Sequence, residues 1–302
     1  MMDGIGRSRL YPPLHEVRRA VARALEEDLG AVGDVTSALV EPAVRATGVI
    51  VPRNDGVLAG TLCVDEAFRS VDPTVTIRWA ARDGDRVTAG MPVATVEGPL
   101  SSILTAERTA LNFLCHLSGV ATATRTMVDA AAGRLLVLDT RKTIPGLRAL
   151  QKAAVRAGGG ANHRSDLSEA VLVKDNHRAG MSIREAVEAA RTRWPTKRVQ
   201  VECDDESDVE EALRAGADAV LLDNMSPELI SRCVERVRDV AGGRCFVEVS
   251  GGVTPENVRT FVATGADAIS TSVITMSARA LDIGLDLERV EKSGSEVDRN
   301  GR

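Results

Sequence analysis

Apolar residues recur at helical spacing over residues 14–29, LHEVRRAVARALEEDL, and the run stops at Gly30, which predicts an amphipathic helix. From about residue 46 to 104 the period changes. Short runs, TGVIVP, VTIRWA and MPVATVEG, are separated by turn sequences at Asn54-Asp55-Gly56 and Asp83-Gly84-Asp85, a β-rich texture with hairpin-like punctuation. A helical stretch, AERTALNFLCHL, begins near Thr105, with an interruption expected at Ser118-Gly119. The domain junction is placed around it.

After residue 133 the pattern becomes regular. The apolar runs LLVLD, AVLVK, RVQVE, AVLLD, CFVEVS and AISTS alternate with amphipathic stretches. Ser182 with Glu185, and Ser207 with Glu210, have capping-box spacing. Ser226-Pro227 and Thr254-Pro255 put a cap residue before a proline at the first helical position. Gly216 and Gly265 open the related phrases GADAVLLD and GADAIST. This is repeated βα architecture around a buried parallel sheet.

The polar residues keep one position in these units. Asp139, Lys174, Glu202, Asp223, Glu248 and Ser250 stand at or just beyond the end of an apolar run. The first five are separated by 35, 28, 21 and 25 residues, about one βα unit each. In an α/β barrel those ends converge on the face that carries active sites. An open dinucleotide-binding sheet would show a glycine-rich fingerprint after its first strand. Here LLVLD is followed by TRKTIPG, so a barrel is expected.

Composition narrows the chemistry. With 38 Lys+Arg against 43 Asp+Glu and only 2% aromatics, the chain has neither the basic excess nor the stacking platforms of a nucleic-acid binder. No run approaches the roughly 20 apolar residues of a membrane helix, and the first residues lack a signal-peptide core. The five cysteines are scattered without a C-x-x-C, so neither a disulfide framework nor a zinc site is expected, and a reducing cytoplasm is the simplest compartment. Cys115 reads as core filler, because adjacent helical residues such as Cys115 and His116 point apart.

Charge is unevenly spread. Between Asp139 and His177, seven cations (Arg141, Lys142, Arg148, Lys152, Arg156, Arg164, Lys174) stand against four acids (Asp139, Asp166, Glu169, Asp175). Arg148, Lys152 and Arg156 are four apart on an expected helix and read as a solvated face. Arg141, Lys142, Arg164 and Lys174 flank strand ends and the Gly158–Gly160 turn, which implies a ligand with several negative charges. His163, beside Arg164, reads as another donor to an anion. Asp139 is expected to orient Arg141 or to cap backbone. Glu202 and Asp223 end successive strands, where they could share a hard cation such as Mg²⁺ or pair with the nearby cations. Ser250-Gly251-Gly252, before a Thr-Pro helix start, is a candidate phosphate cradle.

Several phrases in order over most of the chain carry a resemblance: GDVTS (33–37), ERTALNFLCHLSGVATAT (107–124), DTRKTIPGLRALQKAAVRAGGGANHR (139–164), LVKDNH (172–177), VECD (201–204), VLLDNMSPE (220–228) and VEVSGGV (247–253). The chain resembles the quinolinate phosphoribosyltransferases, the decarboxylating nicotinate-nucleotide pyrophosphorylases of NAD biosynthesis. The resemblance implies an N-terminal α/β (α+β) domain followed by an incomplete, seven-stranded α/β barrel. We assign residues 1–118 to the first domain, 119–279 to the barrel, and 280–302 to a C-terminal helix and disordered tail.

The resemblance also implies roles. Arg108, Arg141, His163, Arg164 and Lys174 would hold quinolinate. Lys142 would serve the pyrophosphate end of phosphoribosyl pyrophosphate. Glu202 and Asp223 would lie near Mg²⁺ and the ribose, and Ser250, Gly251, Gly252 and Ser272 would form the phosphate loops. A homodimer or higher homo-oligomer is implied, with Arg108 completing the neighbouring pocket. The chain departs from the family pattern at Ser272, commonly Gly, and Met276, commonly His. Three other readings are open: the homologue associated with molybdenum transport, a Schiff-base aldolase using Lys174, and a non-catalytic anion-binding module.

Overall fold

The computed structural model describes residues 10–178 and 180–292. The chain divides into two units, one made of residues 1–122, 149–158 and 278–302, the other of 123–148 and 159–277. The expected tail, SGSEVDRNGR, lies outside the described residues.

In the first unit, helix α1 (Leu14–Leu29) buries Val17, Val21 and Leu25, and Gly30 ends it with φ 55°. Strand β1 (Val44–Pro52) is followed by the short β2 (Gly56–Val57), helix α2 (Thr61–Val71), β3 (Thr76–Trp79), the short β4 (Arg86–Val87) and β5 (Ala94–Pro99). The three runs read as strands in the sequence are β1, β3 and β5.

Helix α3 (Leu100–Ala131) is continuous, so the interruption expected at Ser118-Gly119 does not occur. Gly119 has another cause. A Cβ there would lie 2.1 Å from the Arg279 carbonyl oxygen, and the Leu281 N–H donates to the Cys115 carbonyl at 2.9 Å. The chain crosses the helix there, and only a residue without a side chain allows it. Helix α3 passes between the units at residues 122–123.

The second unit is the repeated βα region. Strands β6 (Leu136–Leu138), β7 (Val171–Val173), β8 (Val199–Cys203), β9 (Ala219–Asp223), β10 (Phe246–Ser250) and β11 (Ala268–Ser270) form one parallel sheet in the order β6-β11-β10-β9-β8-β7. A seventh position is reduced to a single parallel bridge from Leu138 to Ala161 at the β6 edge. The barrel is therefore incomplete, open between Ala161 and β7. Burial on both faces explains why these strands read as unbroken apolar runs; β8 is buried throughout.

The intervening helices are α4 (Arg148–Ala157), of which residues 149–157 group with the first unit, then α5 (Ile183–Arg193), α6 (Glu206–Arg214), α7 (Pro227–Ala241), α8 (Val258–Val262) and α9 (Val273–Met276). The capping box of Ser182 and Glu185 is complete, and Ser226 caps α7 with Pro227 behind it. Two expected starts shift. Asp205, not Ser207, caps α6, and α8 begins at Val258 rather than after Thr254.

Residues 280–292 correct the sequence expectation of a helix. Ile283–Lys292 is strand β12, antiparallel to β1 from Val44↔Lys292 to Pro52↔Ile283. It completes the first unit's sheet in the order β12-β1-β5-β3.

Candidate active site

The second unit gathers its polar residues by register. Glu202 lies opposite Leu221, Leu221 opposite Glu248, and Glu248 opposite Ala268, so these side chains share the inner face of the sheet. Two residues further along, Asp223 lies opposite Ser250 and Ser250 opposite Ser270. Alternation brings Gln200 onto this same face.

Asp139, fully buried beyond β6, accepts from Asn162 Nδ2 at 2.5 Å and from the His163 N–H at 2.9 Å. It caps backbone, one of its two expected roles, and pins the 161–163 segment to the end of β6. The segment then delivers Arg164, whose guanidinium donates to the Ala170 carbonyl at 3.1 Å. Burial pushes the Arg164 pKa down, and the nearby Arg141 charge pushes it further, with Asp166 opposing weakly. Arg141 Nε is buried without a hydrogen-bond partner. Two neighbouring cations that form no ion pair among the described residues make a candidate binding site for an anion.

Arg148 is not part of a solvated face. It donates to Thr143 Oγ1 at 3.0 Å, the Ser165 carbonyl at 3.2 Å and the Arg141 carbonyl at 3.1 Å, tying together the two loops that carry Arg141 and Arg164. Lys152 is 2% exposed and Arg156 donates to the Tyr11 carbonyl, so the surface reading fails for all three. Lys142 is exposed, and its carbonyl accepts from the Thr275 hydroxyl at 2.8 Å.

Lys174 Nζ is paired with Glu202, a buried carboxylate. This narrows the expected metal pair: Glu202 is committed to a lysine. Asp223 Oδ2 accepts from Asn224 Nδ2 at 2.7 Å, which leaves Oδ1 open. Among the described residues no group of three or more His, Cys, Asp or Glu side chains could hold a metal ion. The donor set fits a magnesium ion that takes most of its oxygens from a bound diphosphate, as this ion commonly does.

Gly251 and Gly252 are both left-handed, at φ 94° and 62°. A Cβ on Gly251 would fall 2.1 Å from Asn224 Oδ1, whereas one on Gly252 would meet nothing within 4 Å. Asn224, itself left-handed at φ 53°, donates its N–H to the Ser250 carbonyl. The glycine turn and the Asp223-Asn224 turn are thus interlocked. Helix α8 has only five residues and starts beyond the turn, so the expected phosphate cradle would rest on loop backbone rather than a helix end. Ser272 sits at φ −88°, which a serine adopts without strain. Met276 is exposed. Arg108 lies in the first unit, exposed on α3.

Both histidines of the cationic segment accept through Nδ1. His163 takes the Arg164 N–H at 2.8 Å, and His177 the Lys174 N–H at 3.1 Å. His163 Nε2 lies 3.2 Å from Gln200 Oε1 and 3.2 Å from Glu248 Oε2. The sequence places Glu248 at a strand end without a role, reads Arg148 as surface, and gives no role to Gln200 or Asn224. Alternation in VQVE and VEVS is the available signal for Gln200 and Glu248. In the first unit, burial raises the Cys115 pKa and lowers that of His116, which contacts Gln151, consistent with packing roles.

The chain matches two family models, "Quinolinate phosphoribosyl transferase, N-terminal domain" over residues 34–118 and "Quinolinate phosphoribosyl transferase, C-terminal domain" over residues 120–286. It is 42% identical over 277 residues to a Mycobacterium leprae protein named nicotinate-nucleotide pyrophosphorylase [carboxylating], covering 89% of this chain and 96% of that one. A Nicotiana tabacum protein named quinolinate phosphoribosyltransferase [decarboxylating] 1b is 35% identical over 293 residues, with 91% and 83% covered. The solved nicotinate-nucleotide pyrophosphorylase from Francisella tularensis superposes with a TM-score of 0.87 at 38% identity, covering 92% of this chain and 98% of that one.

Proposed function

The chain belongs to the quinolinate phosphoribosyltransferase family, and on that premise we propose that it transfers the phosphoribosyl group of phosphoribosyl pyrophosphate to quinolinate with decarboxylation, forming nicotinate mononucleotide, pyrophosphate and CO₂ for NAD synthesis. The observation that carries the reading is the neighbouring charges of Arg141 and Arg164, only weakly offset by Asp166, in the same unit as the Lys174–Glu202 pair. Quinolinate supplies two adjacent carboxylates, which suit two guanidiniums and a lysine.

The pyridine nitrogen attacks the anomeric carbon, and the bond from that carbon to the diphosphate oxygen breaks with its electron pair. Positive charge develops on the sugar, and Asp223 is the carboxylate open to stabilise it, Glu202 being paired with Lys174. Lys142 serves the departing diphosphate. Asp223 would hold a magnesium ion here, and such an ion, when bound, would supply neutralisation of the leaving-group charge. The ring nitrogen is then cationic. The bond to the 2-carboxylate breaks, CO₂ leaves, the electron pair stays on the ring carbon, and a proton from water replaces it. Orientation of both carboxylates by the cations supplies proximity and selectivity.

The Schiff-base alternative is disfavoured, because the Lys174 nitrogen is engaged by a carboxylate. A reducing cytoplasmic location agrees with five unpaired cysteines. A two-fold dimer with Arg108 completing the partner's pocket follows from the family resemblance.

The test is direct. Incubation with quinolinate, phosphoribosyl pyrophosphate and Mg²⁺ should release nicotinate mononucleotide and CO₂, with nicotinate a poor substrate because it leaves site cations without a carboxylate. Comparable turnover of nicotinate would refute the dicarboxylate assignment. Arg108→Ala and Lys174→Ala should each be inactive alone, and exchanged subunits should recover roughly a quarter of the activity.

A further inference from the structure

We propose that Glu248 and Gln200 are positioning residues that set the quinolinate site by fixing the tautomer and orientation of His163. The proposal rests on the reading of Arg164 as a quinolinate ligand.

The geometry leads there in steps. The Arg164 backbone N–H can only donate, so His163 Nδ1, 2.8 Å away, must present a lone pair. The ring hydrogen is then on Nε2, which faces Glu248 Oε2 at 3.2 Å and Gln200 Oε1 at 3.2 Å. Gln200 Nε2 in turn donates to Glu248 Oε2 at 3.0 Å. Each member fixes the next: the carboxylate orients the amide, both hold Nε2–H, and the ring so held accepts the Arg164 N–H. Both ring nitrogens are thereby occupied by the protein. The ring fixes the backbone from which the Arg164 guanidinium extends. His177 uses Nδ1 in the same way on Lys174, so the device occurs at two substrate cations.

A purely structural role explains this network less well. Glu248 is 2% exposed, and its Oε1 is buried without a hydrogen bond. Burial acts to raise its pKa, and contacts from His163, Gln200 and Ser270 act to lower it. A carboxylate buried inside a barrel is costly even with polar neighbours, and an apolar residue would pack there more cheaply. What it supplies is a single ring tautomer and orientation.

Two experiments decide the matter. Nitrogen-15 NMR of the imidazoles, assigned by single substitution among the four histidines, should show the ligand-free His163 neutral with its hydrogen on Nε2. A hydrogen on Nδ1 overturns the relay. This readout needs no turnover, so a wild-type protein inert toward quinolinate would end the functional reading while the tautomer still judged the relay. In kinetics, Glu248→Leu should raise the KM for quinolinate about tenfold, as expected when a ligand loses its alignment. The KM for phosphoribosyl pyrophosphate should stay within about twofold, and Glu248→Gln, whose carbonyl still accepts, should recover most of the loss. In a His163→Ala background Glu248→Leu should add little. Equal rises in both KM values, or an effect that multiplies fully with His163→Ala, would overturn the proposal. If Glu248→Leu fails to fold, Gln200→Leu replaces it with the same expectations.

Discussion

The two ends of the parallel sheet use the same residue types to opposite effect. At the amino ends, the phrases GADAVLLD and GADAIST put Asp218 before β9 and Asp267 before β11. Asp218 accepts from the Val199 N–H at 2.7 Å and from Arg191 at 2.8 Å. Asp267 accepts from the Val247 N–H at 2.7 Å and from Arg238 at 2.8 Å. Each carboxylate closes the start of the neighbouring strand and pairs with an arginine of an earlier helix. At the carboxyl ends, Arg141 and Arg164 form no ion pair among the described residues, and the Arg164 pKa is pushed down by burial and by its neighbour, with Asp166 opposing only weakly. Paired charges stabilise; an uncompensated pair stores repulsion that an anion relieves. The conserved direction of a parallel sheet keeps these two uses apart.

Four measurements would break or sharpen this contrast. Arg164→Ala should lower kcat/KM about a thousandfold, roughly 4 kcal/mol, while urea midpoints hold or rise because repulsion is relieved. A stability loss with near-normal kinetics would erase the distinction between the ends. Gly251→Ala should raise the KM for phosphoribosyl pyrophosphate about a hundredfold, since the new Cβ would strike Asn224 and the backbone is left-handed. Gly252→Ala, equally left-handed but facing open space, should cost less because it lacks the clash with Asn224. Asp267→Asn should do the reverse of Arg164→Ala: a loss of about 1–2 kcal/mol in urea unfolding with kcat/KM within about twofold, the figure being modest because the ion pair is about a third exposed.

The smallest effect is in pH. Burial acts to raise the Asp218 pKa, but the bonds from Arg191 and the Val199 N–H prevail and the folded-state value is lowered. A group with a lowered folded-state pKa stabilises fully above its unfolded value, about 3.9, and loses that contribution as pH falls through the folded value. The stability gap between wild type and Asp218→Asn should therefore be constant near neutrality and shrink below about pH 4. A gap that widened with acid would show that the carboxylate is not stabilised in the folded state.

The six runs read from the sequence became the six strands of the second unit, with AVLLD matching β9 residue for residue. Strands buried on both faces announce themselves, because their apolar runs have no competing explanation. The residues at their carboxyl ends were legible for the same reason. Strand β12 was not: its Asp286–Glu291 side chains are exposed, its Glu and Arg residues favour helix, and its structure comes from pairing with β1. The start of α8 was hidden because Asn257 bonds the Thr254 N–H and the Gly252 carbonyl, serving the glycine turn before the helix begins. The spacing of Arg148, Lys152 and Arg156 correctly put them on one helical face, but charge alone did not reveal that this face is largely buried.

The pairing of β1 with β12 also sets a schedule. On the ribosome, Val44–Pro52 emerges early, while its partner Ile283–Lys292 follows more than 230 residues later. At about 5–20 residues per second, one edge of β1 stays open for roughly ten to fifty seconds. During that interval the whole inserted unit is synthesised, and its βα repeats need only nearby segments to begin pairing. The half of the protein translated first is thus the half completed last, and its open strand edge is where a stalled or truncated chain is exposed to wrong partners.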